Sequence, residues 1–143
     1  MSGRNIKVLF DTDIGSDLDD AVALSYLLAE PRCDLLGITT VSGDVLMRAK
    51  LASVLCKAAQ KDVPIRLGSS DRLDGPSRQP MVPQNGVLTD WDHAANFSDQ
   101  SEIEFIARIV RSNPGEIVIL AVGPLTNIAV SYTHLTLPTI YSV

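Results

Sequence analysis

Residues 8–22 read VLFDTDIGSDLDDAV, and half of the positions from 11 to 20 are aspartate: Asp11, Asp13, Asp17, Asp19 and Asp20. The cluster directly follows an apolar run. Like charges so close repel, and taking even one carboxylate out of water is costly without compensation. A hard divalent cation provides it, since calcium gathers oxygen ligands from Asp carboxylates, backbone carbonyls and water. Asp11 and Asp13 lie two apart at a strand end, so their side chains are expected to point the same way. Asp19 and Asp20 stand at the mouth of the following helix, where the helix dipole favours negative charge. Gly15 allows the turn between the two pairs. An EF-hand does not account for the spacing: with Asp11 in first place, Gly15 falls where a ligand belongs and Val22 where the bidentate glutamate belongs.

The elements that must hold these acids alternate in type. Ile6–Phe10 reads as a buried strand. From Asp20, the apolar positions Ala21, Leu24, Leu27 and Leu28 recur at helical spacing until Pro31 stops them. Leu35–Val41 is the next strand, followed by a turn at Ser42-Gly43-Asp44. A second helix carries Met47, Leu51, Val54, Leu55 and Ala58 on one face, with Met47 read as core. Arg48, Lys50, Lys57 and Lys61 fall off that face and read as solvated surface. Val63–Leu67 is a short third strand. Residues 68–100, with Pro76, Pro80 and Pro83, read as a long loop of the kind that carries function or is disordered. Ser101 and Glu104 form a capping-box signature for a third helix through about Arg111. Glu116–Val122 is a fourth strand, and Thr126 and Asn127 begin another helix.

This alternation predicts an α/β domain with a mainly parallel sheet flanked by helices on both faces. Ligands of such sheets bind beyond the carboxyl ends of the strands. The acid cluster, Ser42–Asp44 and Gly123–Asn127 each follow such an end.

A chain of 143 residues with 45% hydrophobic and 20% charged content is one soluble globular domain by composition. With 12 basic and 17 acidic residues the net charge is −5, which points away from nucleic-acid and membrane partners. Cys33 and Cys56 lack ligand spacing and read as buried reduced thiols. The N-terminus has no signal-peptide pattern, so a cytoplasmic protein is expected. In the long loop, His93 could serve a leaving base and Trp91 could line its pocket, but a surface or loop-packing role is the simpler reading for both. Asn85-Gly86 reads as a turn.

Three segments together, DTDIGSDLDDAVAL, TTVSGD and LAVGPLTNIA, resemble the inosine-uridine preferring nucleoside hydrolase family, in family order and across nearly all of residues 5–130. The resemblance implies a Rossmann-like, calcium-dependent fold that cleaves the N-glycosidic bond of ribonucleosides to ribose and free base, in nucleoside metabolism and purine salvage. It implies that Asp13 is both a Ca2+ ligand and the base that activates water. Asp20 and the backbone carbonyl of Thr126 would be further Ca2+ ligands, and Asp19 would bind the ribose hydroxyls. Asp44 stands where many members have Asn and would contact the substrate; Asp11 would be a supporting acid. Asp17 takes no role. The resemblance also implies a longer, homo-oligomeric polypeptide, whose second half supplies another calcium-binding aspartate and a leaving-group histidine.

Two other readings compete. A strand ending in DxD also opens aspartate-nucleophile, magnesium-dependent phosphatases, but Ile14-Gly15 and the DLDDA extension do not suit them. The other is a non-catalytic binding module. Residues 1–130 read as the N-terminal part of a nucleoside hydrolase domain. Residues 131–143, SYTHLTLPTIYSV, read as an atypical tail, an artefact of truncation or assembly. Its threonines are poor helix formers, and Pro138 is expected to break any helix.

Overall fold

The computed structural model describes residues 3–140, with side chains through Leu135. Four strands form one parallel sheet in the order β3-β2-β1-β4: β1 Ile6–Thr12, β2 Cys33–Thr40, β3 Ile65–Leu67 and β4 Ile117–Ala121. Helices α1 (Asp19–Ala29), α2 (Val45–Ala58), α3 (Glu102–Ser112) and α4 (Thr126–Ile140) connect and follow them. The chain winds outward from β1 through β2 to β3, then returns to place β4 on the other side of β1. The carboxyl ends of β1 and β4 therefore flank the point where the winding reverses, the usual binding crevice of such sheets.

Side chains alternate across the sheet and fill two cores. Val8, Phe10 and Ile38 meet Leu24, Leu27 and Leu28 of α1 and Ala49, Leu51 and Ala52 of α2 on one face. Leu9 meets Phe105, Ile106 and Ile109 of α3 on the other, with Ile117 and Ile119 of β4 and Ile128 of α4 packed against them. Met47 is partly buried against the first cluster, as its spacing predicts. α3 starts where the capping residues place it, with Ser101 Oγ accepting from the Ile103 amide at 3.2 Å.

Two elements depart from expectation. The long loop contains a 3-10 helix at Pro83–Thr89, which takes in Asn85-Gly86. The second concerns α4, which continues through the hydroxyl-rich segment to Ile140 instead of ending before it. Within α4, Ser131 Oγ donates to the Asn127 carbonyl at 2.7 Å and Thr133 Oγ1 to the Ala129 carbonyl at 3.2 Å, so these two hydroxyls are absorbed by the helix itself. Pro138 has no N–H for the His134 carbonyl one turn back, and Arg111 Nη2 of α3 reaches that carbonyl at 3.5 Å. Among the described residues, no helix is long and apolar enough to cross a membrane.

β1 and β2 slip register between Val8 and Leu9, which sets Gly37 opposite Leu9 and beneath Phe105. A Cβ at position 37 would come within 2.6 Å of Phe105 Cε1, and Phe105 is fully buried with nowhere to move. Gly37→Ala should therefore lower the unfolding free energy by about 1–3 kcal/mol, the range for overpacking a filled core. Urea denaturation measures it, and an unchanged midpoint would contradict the packing described here.

Candidate functional site

β1 runs two residues further than its apolar stretch, because Asp11 and Thr12 take part in the sheet. Asp11 pairs with Thr39 of β2 on one side and Ala121 of β4 on the other. Its carboxylate is wholly buried. Oδ1 accepts from Thr39 Oγ1 at 2.5 Å and from Asn127 Nδ2 at 2.8 Å, while Oδ2 has no hydrogen-bond partner. Burial pushes the Asp11 pKa up to about 6 from the usual 3.8, against the pull of the Thr39 and Asn127 bonds. Asn127 also donates to the Thr40 carbonyl and accepts from the Ser69 amide, so one amide in the first turn of α4 joins β1, β2 and the segment after β3.

Past Thr12 the chain leaves the sheet and the side chains diverge. Asp13 lines a small pocket of about 140 Å³ together with Ser16, Asp17, Asp19, Asp20, Gln79 and Val122. Asp11 does not line it. The two acids do not share one space as their spacing suggested, because the two-residue alternation ends with the strand at Thr12. Gly15 makes the turn with φ +112°, a conformation that other residues rarely adopt. Val122 lines the pocket from the β4 side, and the next residue, Gly123, lies so close that a Cβ there would sit 3.0 Å from the Asp13 amide nitrogen.

α1 begins at Asp19 without a side-chain cap, and its two leading acids face opposite conditions. Asp19 is exposed in the pocket wall. Asp20 is buried, and Thr12 Oγ1 donates to its Oδ2 at 2.6 Å. Burial above all pushes the Asp20 pKa up to about 6. The Thr12 bond opposes the shift, and the neighbouring Asp13 and Asp19 carboxylates add to it.

The other predicted site residues do not line this pocket. Asp44 is exposed and caps α2, its Oδ1 accepting from the Met47 amide at 2.9 Å. Thr126 is buried in the first turn of α4. Trp91 lines a separate apolar groove between α1 and α2 with Leu18, Leu51 and Val54, and His93 Nδ1 lies 2.9 Å from the Ala94 carbonyl. Neither lines the acid pocket. Cys33 and Cys56 are free thiols, and burial raises Cys56 to about 11.

Arg48 overturns its reading as a solvated helix residue. It is fully buried, the largest of the side chains so enclosed. Its position in the first turn of α2 lets the side chain lean back under the strand ends. Nε donates to the Ser42 carbonyl at 2.6 Å. Nη1 donates to the carbonyls of Asp13 and Ile14 (3.0 Å for the latter) and to Ser16 Oγ at 3.1 Å, and Nη2 to the Gln79 carbonyl at 2.9 Å. Helical periodicity cannot signal this, because position 48 is buried by loops and not by another helix. Gln79 and Asn127 were equally silent in the sequence, although Asn127 ends the GPLTN motif.

Chemically, the pocket offers carboxylates, a hydroxyl and an amide, all oxygen donors suited to a hard cation. Among the described residues, no three His, Cys, Asp or Glu side chains converge into a ready-made metal cage. Asp13 and Asp20 are the neighbouring carboxylates that a cation would relieve.

Comparison with known proteins gives this arrangement a context. The chain is 36% identical over 137 residues to uridine nucleosidase 1 of Arabidopsis thaliana, covering 90% of itself and 40% of that protein. In three dimensions it resembles a plant nucleoside hydrolase, PpNRh1 (TM-score 0.77, 27% identity, 90% of this chain and 43% of that one). It also resembles a purine-preferring ribonucleoside hydrolase from Gardnerella vaginalis (TM-score 0.78, 26% identity, 94% and 45%). The chain thus spans less than half the length of these relatives. A family model described as inosine-uridine preferring nucleoside hydrolase matches residues 8–136, a range that holds every acid of the pocket and runs past Val130 into the hydroxyl-rich segment. That match covers most of the chain, and the chain belongs to the inosine-uridine preferring nucleoside hydrolase family.

Proposed function

We propose that the protein to which this chain belongs hydrolyses the N-glycosidic bond of ribonucleosides, releasing ribose and free base with the help of a bound calcium ion. The observation that carries the reading is the pocket where Asp13, Asp19 and Asp20 meet, beyond the ends of β1 and β4. Asp13, Asp20 and the Thr126 carbonyl would hold the ion. Calcium, when bound, supplies Lewis acidity and offsets the charge of the acids.

The chain's own residues supply the rest of the chemistry. Cleavage of an N-glycosidic bond builds positive charge on the sugar, and a pocket lined by carboxylates stabilises that charge as it develops. Asp13, at the pocket floor with its backbone held by Arg48, accepts the proton of the attacking water. Asp19 is exposed in the pocket wall and free to accept hydrogen bonds from ribose hydroxyls, which orients the sugar. Asp20 is held by Thr12, and Asp11, behind the pocket, braces β1 against β2 and α4. Asp44, exposed at the head of α2, would contact the substrate, as the family resemblance implies.

In the full-length protein, ribonucleosides should be cleaved on the order of 10⁴-fold faster, by kcat/KM, than their 2′-deoxy counterparts, because a site built to bond a hydroxyl rejects the analogue lacking it. Asp13→Asn should lower kcat by about 10²–10⁴ as the general base is lost. Base release followed by chromatography measures both, and equal rates on inosine and deoxyinosine would contradict the reading.

The raised pKa values of Asp11 and Asp20 give a second test. In chelator, the folded chain binds more protons than the unfolded one between about pH 4 and 6, so that stabilisation is present below pH 4 and lost as the pH rises through 6. The melting temperature should fall across this window. At pH 7 calcium should raise it again, a gain that Asp13→Ala or Asp20→Ala abolishes. A flat profile from pH 4 to 7, or a calcium response in either variant equal to the wild type's, would count against the site.

A further inference from the structure

We infer that Arg48 is the positioning residue of the acid pocket, a guanidinium clasp that sets the distance between the Asp13–Ser16 turn and Gln79 across the pocket mouth. The assignment rests on the pocket being the site proposed above. Its basis is the distribution of the five hydrogen bonds. They go to three segments far apart in sequence: the turn after β1, the turn after β2, and the strand-free stretch after β3. Four of the five acceptors are backbone carbonyls, so the clasp acts on main-chain position whatever the side chains do. Two of the clasped residues, Asp13 and Gln79, line the pocket from different segments, and Ser16 lines it as well.

Asp13, Asp17, Asp19 and Asp20 repel one another, and a cluster of acids left to itself opens its loop. A fully buried cation against that loop opposes the opening twice over, by hydrogen bonds to the turn and by attraction to the acids. Burial pulls the Arg48 pKa below its usual value, and Asp13, Asp20 and Asp44, in that order, draw it back. None of the ion pairs among the described residues involves Arg48, so its charge acts on the acid cluster through space, and its hydrogen bonds go to main-chain carbonyls and Ser16 and not to the Asp13 carboxylate. Lysine cannot take this place. A single ammonium has three donors at one point, whereas the guanidinium spans three segments with a rigid fork.

The test separates spacing from simple stability. Three amides report the clasped segments: Ile14 (bonded to Thr12 Oγ1), Gly43 (to the Ser70 carbonyl) and Gln84 (to the Gly15 carbonyl). In Arg48→Lys, hydrogen exchange should quicken at all three together while the sheet amides of Phe10 and Ile38 keep their protection. Calorimetric calcium affinity, measured well below the melting temperature, should weaken about 10-fold or more, the usual consequence of losing a group that orients metal ligands. A residue that merely stabilises the fold would lower the melting temperature and leave that affinity unchanged. Unaltered exchange at the three amides, or unaltered affinity in folded Arg48→Lys, overturns the inference. If the wild type binds no calcium, the proposed cation site falls, and the exchange pattern alone decides the clasp. Should Arg48→Lys fail to fold, native-state exchange of the wild type decides instead. Ile14, Gly43 and Gln84 should then open with one common free energy, and three separate values would overturn the clasp.

Discussion

Carboxylates crowded at the carboxyl edge of a buried sheet are the constraint around which the rest of this structure is arranged. Two of them, Asp11 and Asp20, are removed from water, and each is met by a hydroxyl on a neighbouring strand position: Thr39 for Asp11, Thr12 for Asp20. Hydrogen bonds to a charged group contribute about 1.5–3 kcal/mol, and leaving such a group without partners costs at least as much. The threonines are therefore as much part of the site as the acids. Even so, both acids retain pKa values pushed up to about 6, which shows that burial outweighs the bonds supplied. For Asp20, which lines the pocket, the remaining imbalance is what the proposed cation would remove.

The same bonds that satisfy the acids hold the fold together. Asn127 stands at the start of α4, yet its amide reaches Asp11 in β1, the carbonyl of Thr40 in β2 and the amide of Ser69 beyond β3. Arg48 does the same on the other side of β1 for the three turns above it. Between them, these two side chains tie β1 and the turn after it to β2, the turn after β2 and the stretch after β3. A site built this way cannot loosen without disturbing the sheet ends, and the sheet ends cannot shift without moving Asp13. Such coupling is how a parallel sheet with short strands, one of only three residues, fixes the position of its pocket.

The topology determines where this happens. Because β4 returns to the far side of β1, the turns after β1 and β4 part at the switch point and leave a crevice between them. The acid-bearing turn lies there, with Gly123 close enough to Asp13 that any side chain would narrow the gap. The solved structures similar to this chain share that topology over nine-tenths of its length. The family's fold and the acid pocket are thus found together in a chain that spans less than half of each of these relatives.

Sequence alone determined the order of elements and the kind of site. Apolar runs and helical spacing place all four strands and the starts of the four helices within a few residues, because burial of one face is a local, periodic signal. The acid cluster was equally plain, because five carboxylates in ten positions have no cheap structural explanation. What only the tertiary structure decided is which acids face the pocket and what holds them there. Asp11 and Asp13 are separated by the end of a strand, which periodicity does not mark. Arg48 looks like a surface residue because its burial comes from three loops that sequence cannot bring together. Asn127 is one polar residue among many until the fold sets it beside Asp11. Past Val130 the threonines and Pro138 argued against a helix, yet α4 runs through them, since local propensity yields to bonds from within the helix and from Arg111 on its neighbour. Local pattern specifies the elements because burial is periodic along the chain, whereas the partners of a buried charge are set by distance in space and are known only once the chain is folded.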